Sequence, residues 1–325
     1  MNPNTLRLRS PADVVCAIPY LVGFHPADSV VVLACDGAYA VRLDLTAADE
    51  LLGHVAGLIA RRGPDGVILA GYGPAGRVTP MVERVRDHLH DQGVRVREAL
   101  RVEGGRFWSY LCTDTACCPP EGTFVDVAAS PVATTAIAGG LVALPGRGEL
   151  ERMLAPAGGP GMRAATTRAE RRLKEWATRD PERVPAHMAR EGVPLVRKII
   201  DRACASGTLP GAEETAWLGV LLSSLRVRDE AWVRMTDPHL QTHLRLWRHV
   251  LTRVADPYAA APASLLSFAA WRAGEGALAN IALDRALSTD PRYSMALLLR
   301  ELFLSGLPPS SVPLNLTPED LDEPA

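Results

Sequence analysis

The sequence lacks any long hydrophobic run. No stretch approaches the ~18 consecutive apolar residues that a membrane-spanning helix needs, which argues against a membrane protein of the helical type. After Arg9, the residues Asp13 and Pro19 interrupt the first apolar segment, so a secretory signal is not expected. We therefore predict a cytoplasmic protein, in which the six cysteines are reduced and a disulfide network is not the default.

The chain also lacks a strong excess of either charge. Its formal net charge is −2, and the surplus of basic residues over residues 146–306 is small for a segment of that length. Nucleic-acid-binding domains carry a dense basic patch, so this distribution disfavours a nucleic-acid partner. Residues 307–325 gather prolines and acids, which predicts a disordered or loosely docked tail.

Strands and helices alternate over residues 1–145. The continuous apolar run at residues 29–34 predicts a strand buried on both faces, and Asp36-Gly37 predicts a hairpin turn into the next strand. Residues 94–102 and 106–112 are also predicted to be strands, joined by a turn at residues 103–105. Two of the expected connections are therefore hairpins, so the sheet should be mixed, with helices packed on it. This segment is predicted to form an α/β domain that contains a cysteine-rich turn.

Capping residues and prolines predict the helix boundaries. Ser10 followed by Pro11 is a typical helix start, and we expect that helix to end before Pro19. Thr46 and Asp49 have the spacing of a capping box, which predicts the start of the second helix.

Residues 146–306 have the hydrophobic period of helices throughout. They are predicted to form an all-α domain, either a helical bundle or an irregular solenoid, with residues 145–161 as the linker before it and Pro194 as the start of one helix. A tetratricopeptide-like helical hairpin is predicted near the C-terminus, with Gly274 in its turn, from the spacing of Ala279, Leu283, Ala286, Leu287 and Pro291.

Three of the six cysteines, Cys112, Cys117 and Cys118, lie within one short stretch that ends in two prolines. Thiolates are preferred ligands of zinc, so the cluster is compatible with a metal site. It is also compatible with an oxidisable thiol pair, or with plain buried thiols in a proline-locked turn. The residues by themselves leave these three interpretations open.

A closed structural zinc site needs four ligands, and the cysteine turn supplies three. His25, Cys16 or Asp114 is the predicted source of the fourth. This hypothesis requires the loop that contains His25 to meet the cysteine turn in the folded chain.

The same loop contains a candidate catalytic set. His25, Asp28 and Ser29 are the residue types of a base, an orienting acid and a nucleophile. However, members of such triads usually come from separate elements of the fold. A proline-containing turn, in which Asp28 binds local amides, is the alternative interpretation.

A glycine-rich loop follows the strand expected at residues 67–70. Gly71, Gly73 and Gly76 match the G-x-G-x-x-G pattern of dinucleotide-binding loops. Pro74 removes one amide donor, and the next helix is expected to open only at Pro80, outside the motif. These glycines are therefore weak candidates for a cofactor site.

Several separated segments share their order with one known family: residues 9–13, 19–30, 108–112, 117–122 and 271–280, together with Ala286, Leu287, Asp290 and Pro291. In this order they resemble the actinobacterial domain of unknown function 4192. The resemblance covers most of the chain. It implies a cytoplasmic protein of actinobacterial source and assigns no activity to it.

The leading functional hypothesis is a non-catalytic binding or scaffold protein, whose helical domain presents a groove to a protein partner. One alternative is a hydrolase or transferase with a site between the His25 loop and the cysteine turn. A second alternative is a nucleotide- or RNA-binding module that uses the glycine-rich loop.

Overall fold

The structure is a computed structural model that describes residues 6–312 and 320–321. A mixed six-stranded sheet is followed by a helical region, which confirms the predicted fold class. The chain divides into two compact units, Met1–Glu149 and Leu150–Ala325. Most of the predicted acidic tail lies outside the described residues.

The first unit is built on the sheet, whose strand order is β2-β1-β3-β4-β5-β6. Strands β3 and β4 are parallel, and every other neighbouring pair is antiparallel. The strands are β1 (Ser29–Ala34), β2 (Ala40–Asp44), β3 (Val67–Tyr72), β4 (Val96–Glu103), β5 (Arg106–Ser109) and β6 (Thr123–Phe124).

Helices cover both faces of this sheet: α1 (Pro11–Val22), α2 (Asp49–Arg62) and α3 (Ala75–Asp91). A fourth helix, α4 (Pro131–Ala138), packs on α1. On one face, Val30 and Val32 of β1 share a core with residues of α2 and α3. On the other face, Val31 of β1 packs with Val14 and Ile18 of α1. Both faces of β1 are therefore buried, which explains why its sequence is a continuous apolar run.

Three helix boundaries differ from the sequence-based expectation. Helix α1 continues through Pro19 and ends at Gly23, whose φ is +86°. The two residues on either side of this proline are buried, and their packing offsets the hydrogen bond that it removes. The N-cap of α2 is Ala48 and not Thr46, because the Asp49 carboxylate accepts hydrogen bonds from α3. Helix α3 begins at Ala75, so Pro80 lies inside it.

The helical region is formed by α5 (Arg147–Met153), α6 (Pro160–Arg179), α7 (Val184–Ser206), α8 (Ala212–Leu221), α9 (Leu225–Val233), α10 (Leu240–Leu251), α11 (Ala260–Arg272), α12 (Gly276–Thr289) and α13 (Ser294–Ser305). Two expectations were wrong. The predicted linker contains α5, and Pro194 lies in the middle of α7 and does not start a helix. As in α1, buried residues on both sides of this proline hold the helix together.

The core of the second unit lies around α10 and α11. The Trp247 side chain is fully buried, and nearly every residue of α11 is inaccessible to solvent. Helices α11 and α12 follow each other through a short turn at Gly274, whose φ is +79°. The tetratricopeptide assignment of this hairpin stays a prediction. None of the described helices has both the length and the apolar character that crossing a membrane requires.

Candidate metal centre

The cysteine turn begins where Ser109 ends β5, three residues earlier than the sequence predicts. The Ser109 hydroxyl accepts the backbone N–H groups of Leu111 (3.1 Å) and Cys112 (2.9 Å). The same hydroxyl donates to Glu98 Oε1 of β4 at 2.8 Å. A serine that binds backbone groups two and three residues ahead favours a turn over a continued strand. Cys112 therefore leaves the sheet at a fixed position.

Asp114 folds the next residues back toward Cys112. Its backbone carbonyl accepts the N–H groups of Cys117 (3.2 Å) and Cys118 (2.7 Å). Its carboxylate accepts the N–H of Ala116 at 2.9 Å, which closes the turn from the side-chain end. The carboxylate is thus engaged with the backbone of the turn.

The far end of the turn is attached to the sheet through Trp108. The indole Nε1 donates to the Pro120 carbonyl at 2.9 Å, and the Arg101 guanidinium lies 3.6 Å from the centre of the indole ring. Arg106 donates to the Gly122 carbonyl at 2.7 Å. The turn is therefore held at both ends and along its middle.

The turn brings the three thiols together. The sulfur atoms of Cys112, Cys117 and Cys118 lie within 4.8 Å of one another. Two thiolates on one tetrahedral zinc ion lie ~3.8 Å apart, since each Zn–S bond is ~2.3 Å long. Cys117 is exposed and the other two are half-buried, which contradicts the interpretation as plain buried thiols.

In the absence of a cation, the three thiols interact with one another. Hydrogen bonding to Cys112 first, and then burial and hydrogen bonding to Cys117, raise the pKa of the Cys118 thiol to about 12. Redox-active cysteines have lowered pKa values, so this arrangement disfavours Cys118 as a reactive thiol. A bound metal ion displaces thiol protons and would reverse the effect.

His25 does not join this group. It precedes β1, and the register aligns Ser29 of β1 with Tyr72 of β3, Val102 of β4 and Phe107 of β5. Cys112 lies five residues beyond Phe107, toward the opposite end of the sheet. Three strand spacings of ~4.8 Å and two residues of ~3.3 Å each place Ser29, at the start of β1, on the order of 16 Å from Ser109, where the cysteine turn begins.

The histidine loop and the cysteine turn therefore do not meet, and the structure does not form the expected site between them. Cys16 is buried in α1, and burial raises the pKa of its thiol. Within the described part of the chain, the cluster of ligating side chains consists of the three cysteines alone.

The side chains of the candidate catalytic set diverge. Asp28 has a φ of +44°, and its carboxylate forms an ion pair with Arg77 of α3 at 2.6 Å. Ser29 is fully buried, and strand alternation places its side chain on the face covered by α1. His25 is exposed, and its backbone N–H donates to the Leu144 carbonyl. The structure thus keeps these three residues from forming a catalytic contact.

Ser29→Ala tests this arrangement. The buried Ser29 hydroxyl has no hydrogen-bond partner among the described residues, and an unsatisfied buried polar group costs about 1–3 kcal/mol. We expect the alanine variant to be as stable as the wild type or up to ~1 kcal/mol more stable, as measured by thermal unfolding. A loss of more than ~1 kcal/mol would show that the hydroxyl has a partner that supports the fold.

The glycine-rich loop has a structural explanation. A Cβ atom at Gly71 would lie 2.3 Å from Val78 Cγ1, so this glycine lets α3 pack closely on β3. Helix α3 does begin inside the motif, contrary to the expectation of a start at Pro80. However, the Asp28 carboxylate lies beside Gly73, 3.5 Å from where a Cβ would be, and a negative charge there disfavours phosphate. A Cβ atom at Gly76 would have no neighbouring heavy atom within 4 Å.

Sequence reasoning missed the residues that position the cysteines. Trp108 and Ser109 fall within the strand predicted over residues 106–112, and that prediction gives neither of them a role in positioning the cysteines. The sequence pattern could have identified Ser109. It lies two residues before Leu111 and three before Cys112, which is the spacing of a turn closed by a serine side chain. No local signal identifies Trp108, since its contact with Pro120 depends on how β5 and the turn fold together.

The fold and the turn define a class of protein with an α/β unit that carries a three-thiol cluster, followed by an all-helical region. The sequence model of the family described as "domain of unknown function (DUF4192)" matches residues 11–310, and the chain belongs to this family. Comparisons with curated proteins and with solved structures found no match.

Proposed function

We propose that this chain is a non-catalytic binding protein whose α/β unit holds a zinc ion through Cys112, Cys117 and Cys118. The observation that supports this proposal is that three sulfur atoms lie within 4.8 Å of one another, in a turn whose backbone is fixed by hydrogen bonds with Ser109, Asp114 and Trp108. Two thiols suffice for a redox pair. The third thiol at the same distance favours a metal site over an oxidisable pair.

The proposed site has three ligands from this chain and an open fourth position. Zinc sites with three protein ligands leave one position for water or an external ligand. Cys117 is exposed, so that position would be reached from solvent. Two carboxylates near the cysteines are engaged, Asp114 of the turn with the N–H of Ala116 and Glu98 of β4 with Ser109, which supports binding over acid–base catalysis. The protein partner of the helical region stays a prediction.

Zinc titration of the chelator-treated full-length protein tests the proposal. We expect one zinc per chain by elemental analysis, and loss of that zinc in Cys118→Ser. Cys35→Ser is the matched control, because Cys35 is also exposed but lies outside the cluster. Since the ligands must lose their protons, the affinity should fall as the pH is lowered.

Two results would contradict this function. One is equal zinc content in the wild type and in Cys118→Ser. The other is a disulfide between two of the three cysteines in protein purified under native conditions, shown by mass spectrometry, since the redox interpretation predicts that bond.

A further inference from the structure

The second unit contains an open cavity of about 210 Å³ beside the C-terminal end of α10. Its lining combines positive charge with two apolar side chains: Arg245, Arg248, Arg253, His249, Thr252, Met153 and Leu209. Within the part of the chain that the structure describes, no acidic residue lines it. Three guanidinium groups therefore face one small space without a carboxylate among them.

Many other arginines of this unit have a carboxylate as counter-charge. Arg168, Arg202 and Arg272 each form an ion pair with a nearby carboxylate. Over the described residues, no ion pair is formed by the three cavity arginines. Like charges gathered at close range repel each other, and the repulsion is relieved when an anion binds between them.

Hydrogen bonds fix the walls of the cavity. The His249 ring donates from Nε2 to the Pro210 carbonyl at 2.9 Å, and Arg245 donates to the Gly207 carbonyl at 3.4 Å, so both hold the loop that contributes Leu209. The backbone N–H of Ala157 donates to the Thr252 carbonyl at 2.6 Å, which holds the segment after α5. The site is therefore largely preformed.

Capping of the C-terminal end of α10 accounts for only one of the three cavity arginines. Arg253 donates to the His249 carbonyl at 3.3 Å, and this carbonyl near the end of α10 also accepts from the Thr252 hydroxyl at 3.3 Å. Arg248 makes no hydrogen bond from its guanidinium to any described residue, although it is half-buried. A half-buried guanidinium with unused donors is the feature that capping does not explain.

We propose that this cavity binds the phosphate group of a small phosphorylated molecule. Guanidinium groups match phosphate oxygens in geometry and donate paired hydrogen bonds to them. Arg245 and Arg248 provide the main contacts, and Met153 and Leu209 form the apolar wall for the organic part of the ligand. The volume suits a phosphate with a small substituent. This site is independent of the metal proposal.

Calorimetric titration of the full-length protein with phenyl phosphate and with inorganic phosphate tests the proposal. We expect both to bind, and phenyl phosphate to bind more tightly because it also contacts the apolar wall. Arg248→Ala should weaken binding of phenyl phosphate about tenfold or more, as should Arg245→Ala. Arg171→Ala is the matched control, because Arg171 is an exposed arginine on α6 outside the cavity, and it should leave binding unchanged.

Three results would overturn the proposal. The first is absence of binding of either phosphate compound to the wild-type protein. The second is unchanged binding in Arg248→Ala and in the exposed Arg245→Ala variant, or in the one that folds if the other does not. The third is tighter binding of a single-stranded oligonucleotide than of phenyl phosphate with competition between them, which would assign the arginines to a nucleic-acid backbone.

Discussion

Replacing Glu230 with glutamine is expected to destabilise the second unit by about 3–5 kcal/mol. The Glu230 side chain is fully buried in α9, and its carboxylate accepts hydrogen bonds from Arg197 (2.7 Å), Arg226 (2.9 Å) and Arg234 (2.6 Å). The amide keeps the shape of the side chain but removes its charge. Three partly buried guanidinium groups would then surround a neutral group.

Urea unfolding followed by tryptophan fluorescence measures this loss, because five of the six tryptophans lie after residue 150. Glu213→Gln is the matched control. Its carboxylate pairs with Arg168 on the surface, where both side chains are more than half exposed, so its loss should cost less than ~1 kcal/mol. If the two variants lost the same stability, the carboxylate of Glu230 would not be what holds these arginines together.

The same carboxylate predicts how stability depends on pH. Burial would raise the pKa of Glu230, but hydrogen bonds from the three arginines outweigh it and lower the pKa to about 2, from a value of 4.5 in the absence of such contacts. A lowered pKa in the folded state means that the contribution is complete above pH 4.5 and is lost as the pH falls toward 2. In Glu230→Gln this part of the acid sensitivity should disappear.

Gly122→Ala is expected to destabilise the first unit by about 2–4 kcal/mol and to weaken zinc binding. Gly122 has a φ of +80°, and an alanine Cβ there would lie 2.5 Å from the Trp108 ring. The ring would have to move, which would break its hydrogen bond to the Pro120 carbonyl. Since that bond holds the cysteine turn on β5, the three thiols should lose their fixed spacing.

Gly140→Ala is the control that separates the backbone cost of a positive φ from the cost of the clash with the Trp108 ring. Gly140 has a φ of +83°, but nothing within 4 Å surrounds the position of its Cβ. The control should therefore show only the backbone cost of about 1–2 kcal/mol and normal zinc affinity. Thermal unfolding and zinc titration of both variants provide the measurements. Normal zinc affinity in Gly122→Ala would mean that the turn does not depend on Trp108.

Much of the fold was predictable because its signals are local. The apolar run of β1, the Asp36-Gly37 hairpin and the Ser10 cap are read from neighbouring residues, and the structure has all three. Proline was the main source of error. Pro19, Pro80 and Pro194 all lie inside helices, because buried packing on both sides outweighs one missing hydrogen bond.

The sequence by itself determined the α/β and helical architecture and the closeness of Cys112, Cys117 and Cys118, since these depend on short-range spacing. Only the tertiary structure decided that the His25 loop lies at the other end of the sheet, and that Arg245, Arg248 and Arg253 share a cavity with Met153 and Leu209. Strand order and register are set by packing between residues far apart in the chain, and no local pattern encodes them.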